Sequence, residues 1–317
     1  MIEDKGKWFF TSDTAKERDR SKIVSVPTGI HPIDRKIIGL NKQEISVFSG
    51  FRTAGKSTIL TQIALQVVQS NKKVAMFSGE MNEARVFEWT YLIAAGRTYT
   101  MPTDNENYFR VLPEARDAIK QWLNQKMFVY NNRYGNDMDV LFSMMEYCIK
   151  TKEVDVLILD NLMSIDIGSS DTNKNSKQTE FIWKVKHFAE DTNTHVILVV
   201  HPRKTNTGIL RIDDISGTAD LTNAADNVFL LHRVGFDFKR NAKALFHWSD
   251  DYAMFQVNNI LEVAKNRDLG VMDEMAGLYY DHSSKQMTDD QKEICYSWRN
   301  NLKGVVESDV GQQAYWN

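Results

Sequence analysis

Cysteine is nearly absent from this chain of 317 residues: only Cys148 and Cys295 carry thiols, far apart and in no CxxC pair. That argues against a disulfide framework or a cysteine-based zinc site and points to a reducing cytosol. Proline is scarce too, five in all, which leaves no Pro-rich linker between domains. No run of about 18 apolar residues occurs, so no membrane-spanning helix is expected. The N-terminus, MIEDKGKWFF, holds acidic residues and no apolar stretch of the signal-peptide kind. An excess of positive charge is also missing. The formal net charge of −3 disfavours coating duplex DNA by bulk charge, although a local basic groove or ring lumen is compatible with it. A soluble cytoplasmic protein is the expectation, with no internal repeat.

What remains is an ordinary globular composition, 42% hydrophobic and 26% charged, enough to bury the core of one large domain. From residue 45 strands and helices alternate. Ile45–Ser49 reads as a strand, and Ile59, Leu60, Ile63, Ala64, Val67 and Val68 then recur on one helical face. Val74–Ser78 reads as a strand and Glu83–Ala95 as a helix. Pro113 suits the first turn of a helix ending near Lys126, followed by the strand Met127–Tyr130. Asp137 is a candidate cap for a helix with Val140, Leu141, Met144, Met145, Cys148 and Ile149 on one side. Val154–Leu159 is continuously apolar, as a strand buried on both faces would be. A helix is expected over about Lys177–Asp191, then strands at His195–Val200, Val228–Leu231, Ile260–Ala264 and Met275–Tyr280. The fold class expected is α/β: a mostly parallel central sheet flanked by helices, with an antiparallel C-terminal portion.

Gly50-Phe51-Arg52-Thr53-Ala54-Gly55-Lys56-Ser57 satisfies GxxxxGK[ST] between a strand and a helix. Glycines let the backbone wrap phosphate oxygens, and the loop N–H groups, through Thr58 at the helix start, point inward. Lys56 would neutralise the β and γ phosphates of ATP or another NTP, and the Ser57 hydroxyl would ligate Mg2+. Val154–Asp160 is a strand ending in an aspartate suited to holding the same magnesium. Glu80 follows the strand Val74–Ser78. It can polarise an attacking water, or simply interact with a helix N-terminus. His201 follows another strand and is either a γ-phosphate sensor or a loop histidine. Arg203, Lys204 and Arg211 form a short basic loop, either a solvated face or a grip on backbone phosphates. Local chemistry alone does not distinguish Lys265 and Arg267 from exposed residues at a strand end.

In this order the motifs resemble those of the DnaB-type ring helicases, and more closely the helicase half of phage primase–helicases and Twinkle. Val26-Pro-Thr-Gly-Ile-His-Pro-Ile-Asp34 with Gly39-Leu40 is similar to that family's lead-in. Phe77-Ser-Gly-Glu80-Met81, Leu159-Asp160-Asn161-Leu162, His201-Pro-Arg203-Lys204 and Ala264-Lys265-Asn266-Arg267 resemble its later motifs. The resemblance implies a RecA-like P-loop ATPase and makes Glu80 the base and His201 the γ-phosphate sensor. Lys265 and Arg267 would act in the neighbouring subunit's site. Arg203, Lys204 and Arg211 would hold single-stranded DNA. It further implies a homo-oligomer, a hexameric ring, with primase or other replisome partners in a bacterial or phage-infected cell. Two departures stand out: Ser216 occupies the place of a usual arginine in Asp214–Ala219, and Gly235–Ala253 looks like an insertion.

The expected organisation is an arm over residues 1–24, the ATPase domain over 25–287 and an unassigned extension over 288–317. No primase or DnaB-type N-terminal domain is expected in the 24 residues before the ATPase, so an excised domain or a stand-alone helicase is the expectation. The expected function is a replicative DNA helicase coupling ATP hydrolysis to movement on single-stranded DNA. The alternatives are a recombination ATPase that binds DNA without unwinding and a nucleotide-switched assembly or loader protein.

Overall fold

The structure, a computed structural model, describes residues 11–12, 23–168, 173–203 and 208–302. The short strand β1 (Ser25–Val26), helix α1 (His31–Ile37) and strand β2 (Leu40–Asn41) form a lead-in, β1 and β2 pairing antiparallel. Asp34 braces it: its carboxylate accepts from Thr28 N at 2.7 Å and Gly29 N at 2.9 Å. Next come β3 (Ile45–Gly50), α2 (Lys56–Gln69), β4 (Val74–Ser78), α3 (Glu83–Ala95), the small pair β5 (Thr100–Pro102) and β6 (Phe109–Val111), and α4 (Pro113–Leu123). β7 (Met127–Val129), α5 (Met138–Lys152), β8 (Val156–Asp160), α6 (Lys174–Thr192) and β9 (His195–Val199) continue the alternation. The last elements are α7 (Ala219–Ala224), β10 (Asn227–Arg233), α8 (Phe236–Phe246), β11 (Asn259–Asn266), β12 (Glu274–Tyr280) and β13 (Met287–Thr288).

Nine strands form one sheet in the order β13-β12-β11-β10-β3-β9-β8-β4-β7. From β10 to β7 the pairs are parallel, whereas β11, β12 and β13 join antiparallel. The expected fold class therefore holds. Its strands lack polar alternation because both faces are covered. Phe48, Val74, Met76, Val156 and Ile158 enter one core with the apolar faces of α2, α3 and α4. Their neighbours Val47, Ala75, Phe77, Leu157 and Leu159 enter a second core with α5 and α6. Local signals set the helix ends: Asp137 accepts from Val140 N at 3.0 Å, Asn82 from Arg85 N at 3.0 Å, and Pro113 opens α4.

Two segments gain definition. Between residues 288 and 302, Tyr296 and Trp298 are buried in the first core, and Trp298 Nε1 donates to Ala94 O at 2.9 Å. Trp316 lies outside the described residues. The stretch that resembles an insertion contains α8, whose Phe238 and Ala242 pack with Phe255, Val257 and Ile260 in a third, smaller cluster. Among the described residues no helix is long and apolar enough to cross a membrane.

A buried histidine marks the lower edge of the sheet. His195 Nδ1 lies 2.6 Å from Asn41 O and Nε2 2.9 Å from Ser46 Oγ, and burial pushes its pKa from 6.5 down to about 4. A depressed histidine stabilises the fold above pH 6.5, and that contribution is lost as pH falls toward 4. Between pH 7 and pH 4.5 the native chain is expected to lose about 2–3 kcal/mol more than His195→Gln. Urea midpoints of both proteins at both pH values test this; parallel losses would remove His195 as the cause.

Candidate active site

The parallel strands end level with one another, Ser78 opposite Asp160 and Leu231 opposite Gly50. Residues far apart in sequence therefore meet above one edge of the sheet. Gly50–Ser57 turns from β3 into α2, with Gly55 at φ +91, where a side chain would be strained. A Cβ on Gly55 would also stand 2.3 Å from Met287 Cε, because β13 covers the loop. Lys56 is buried, and its Nζ donates to Gly50 O at 2.7 Å and Phe51 O at 3.0 Å. Burial lowers its pKa, opposed by the charges of Asp160 and Glu80.

Ser57 Oγ donates to Asp160 Oδ2 at 3.1 Å. Burial raises the Asp160 pKa to about 6, the Ser57 hydrogen bond opposing it and the nearby Glu80 charge adding to it. Hard oxygen donors of this kind fit magnesium. Among the described residues no cluster of three or more His, Cys, Asp or Glu could hold a metal by itself. Ser57 and Asp160 would thus hold the ion together with phosphate oxygens and water, the usual manner for Mg2+.

Glu80 and His201 face the same cleft of about 780 Å³, with the P-loop along its floor and Trp89, Arg233 and Tyr280 along its walls. Glu80 Oε1 is 3.0 Å from His201 Nε2. The fold also recruits residues to which the sequence assigned no role. Asn161 Nδ2 donates to Glu80 Oε1 at 2.7 Å, and Asn259 Nδ2 donates to Ala54 O at 2.8 Å, bracing the P-loop from the start of β11. The position of Asn161 next to Asp160 was the available signal for the first. Nothing local could flag Asn259, whose partner lies 205 residues away.

Lys265 and Arg267 are not in this cleft. β11 runs antiparallel, so its end meets the beginning of β10, Asn266 opposite Asn227, at the other edge of the sheet. Lys265 Nζ donates to Thr222 O at 2.7 Å and Ala225 O at 2.8 Å. Arg267 binds Asn223 O and lies 3.5 Å from Asp226 Oδ1, with its side chain 49% exposed. The basic loop after β9 is divided. Arg203 Nη2 donates to Gly217 O at 2.9 Å, which ties it to the segment bearing Ser216. The Arg211 guanidinium lies 5.0 Å from the Phe246 ring centre, on the insertion. Lys204 lies outside the described residues.

A family model described as an AAA domain matches residues 12–207, more than half of the chain. The chain belongs to the AAA domain family. This AAA domain chain is 20% identical over 236 residues to the replicative DNA helicase DnaB of Helicobacter pylori, covering 70% of the chain and 46% of that relative. A Twinkle homologue of Arabidopsis thaliana is 25% identical, with 71% of the chain and 33% of the relative covered. The chain thus spans less than half the length of either relative. The resemblance to DnaB-type and Twinkle-like helicases is borne out at this level. Among solved structures, one ATPase domain superposes with a TM-score of 0.67 at 13% identity, covering 85% of this chain and 93% of that one. A DnaB-like replicative helicase gives a TM-score of 0.64 at 13% identity, with 84% and 62% covered. These likenesses show the RecA-like fold.

Proposed function

We propose that this chain is a magnesium-dependent ATPase working as a ring of identical subunits that couples hydrolysis to movement on single-stranded DNA and duplex unwinding. The observation that carries the proposal is the division of the parts. Lys56, Ser57, Asp160, Glu80 and His201 converge above one edge of the sheet, whereas Lys265 and Arg267 lie at the other. A finger on the far edge can serve only another subunit's cleft.

In this reading the P-loop N–H groups and Lys56 bind the phosphates, and Ser57 and Asp160 would hold magnesium, which would supply positive charge beside them. Glu80 takes the proton of the attacking water, and His201 donates a hydrogen bond to the γ-phosphate. Trp89, Arg233 and Tyr280 supply flat, polarisable walls for the base. The DnaB and Twinkle relatives support the helicase reading, and a DnaB-like structure described with primase supports a primase or replisome partner.

The test is ATP turnover with and without single-stranded DNA, together with displacement of a labelled strand. Stimulation with displacement is expected. Stimulation without displacement would instead indicate a recombination ATPase, and no stimulation a nucleotide-switched assembly protein. If Arg203, Lys204 and Arg211 hold the strand, replacing them by alanine weakens binding about equally across sequences. It also reduces the slope of log affinity against log salt by about 0.7 for each phosphate no longer neutralised. A titration series with an unchanged slope would exclude the loop.

A further inference from the structure

We infer that Asn161 is a positioning residue for the hydrolytic step, pinning one oxygen of Glu80 so that the other serves as the base. The inference rests on the reading of Glu80 given above. Glu80 follows β4 on a carboxylate stem that is 52% exposed, free to sample many rotamers unless something holds it. The holder is the Asn161 amide, 2.7 Å from Oε1.

Two contacts hold Asn161 in turn. Ser164 Oγ donates to Asn161 Oδ1 at 3.3 Å, and Ser164 N donates to Asn161 O at 3.1 Å, closing a tight turn after β8. An ionised carboxylate only accepts, so the amide nitrogen is the end that faces Glu80, and Oδ1 is left to accept from Ser164 Oγ. Gly79 makes room for this turn: a Cβ there would lie 2.0 Å from Ser164 Cβ. Gly79 N also donates to Asp160 O at 2.6 Å, tying the strand end that carries Glu80 to the one that carries Asn161.

His201 joins through a single atom. Its Nε2 is 3.0 Å from both Asn161 Nδ2 and Glu80 Oε1, while its buried Nδ1 has no hydrogen-bond partner among the described residues. One ring nitrogen cannot accept from the amide and donate to the carboxylate at once. If Nε2 carries the proton it donates to Glu80; if Nδ1 carries it, Nε2 accepts from Asn161. In both tautomers Asn161 still donates to Glu80, so the amide is the fixed member of the trio. It keeps the base in place while the ring is free to turn its proton toward a γ-phosphate.

Asn161→Leu keeps the branched heavy-atom shape, in a bulkier side chain, and removes the donor. It is expected to lower kcat by ~10- to 100-fold, the scale of a misplaced reacting group. KM for ATP and the Kd for a fluorescent ADP should stay within about twofold, because neither depends on where the base points. The decisive readout is the double variant. In single-turnover hydrolysis, Asn161→Leu should add no further loss to Glu80→Gln if its effect runs through that carboxylate and not through its contact with His201. Ser164→Ala, which only loosens the amide, is the milder companion if Asn161→Leu fails to fold. It should give a smaller loss with the same non-additivity.

Wild-type kcat in Asn161→Leu, or an equal loss in the Glu80→Gln background, overturns the inference. Wild-type turnover by Glu80→Gln alone would instead overturn the assignment of the base, and the inference with it.

Discussion

Lys56→Ala is expected to reduce ATP hydrolysis by at least ~10²–10³-fold, the loss typical of removing one preorganised charge partner in a closed site. The fold should survive. The Lys56 ammonium is costly to bury, as its lowered pKa reflects, and its two acceptors are backbone carbonyls of the P-loop itself. Asp160→Asn extends the same reasoning with an opposite stability effect. The Asp160 pKa is raised from 3.8 to about 6 by burial. A raised carboxylate stabilises the fold below pH 3.8 and loses that contribution as pH climbs through 6, so the ionised form strains the fold at neutral pH. Asp160→Asn should therefore stabilise the nucleotide-free chain by on the order of 1–3 kcal/mol at pH 7, and by little near pH 4, while hydrolysis is lost. Denaturant midpoints at the two pH values, alongside turnover, test both statements. Full turnover in Lys56→Ala would remove the P-loop assignment. A neutral-pH midpoint unchanged in Asp160→Asn would show that magnesium-site strain is absent.

The P-loop was legible because its physics is local: a glycine loop between a strand and a helix needs no distant partner to be recognised. The helices beginning at Glu83 and Pro113 were legible for the same reason, each announced by its own first turn. Lateral order was not. Nothing near Ile45 says that β3 lies between β9 and β10, because parallel neighbours are chosen by where the crossover helices pack. Tyr296 and Trp298 gave no periodic signal, yet they fill the core beside α3 and α4. α8 was hidden inside what looked like an insertion. Its apolar residues, Phe238 and Ala242, find their partners only when the chain returns at Phe255 and Ile260. That cluster also takes in Ile209, so the insertion packs against the loop proposed to hold DNA, an arrangement no local pattern could suggest.

Arg267→Ala should be as damaging as Lys56→Ala for a different reason, and mixing the two distinguishes the causes. The Arg267 guanidinium sits at the sheet edge opposite its own cleft, half exposed and resting on Asn223 O and Asp226. Asp226 is itself anchored, accepting from Lys186 Nζ at 2.6 Å and Ile45 N at 2.9 Å. The arginine therefore stands on a rigid base at the start of β3, facing away from the phosphates its own P-loop would bind. A finger contributes ~10³-fold or more to phosphoryl transfer, so Arg267→Ala should lose that much while each chain still binds nucleotide. In an equal mixture with Lys56→Ala, about a quarter of interfaces pair an intact cleft with an intact Arg267. Those interfaces should recover turnover that neither variant shows alone. The recovery should grow with protein concentration as mixed subunits assemble into rings. A finger acting within its own chain gives no recovery at any ratio, because every subunit in the mixture carries one lesion. Normal hydrolysis by Arg267→Ala in an assembled ring would remove the finger altogether. Recovery on mixing would mean that each cleft is completed by its neighbour, which lets hydrolysis at one interface bias the next around the ring.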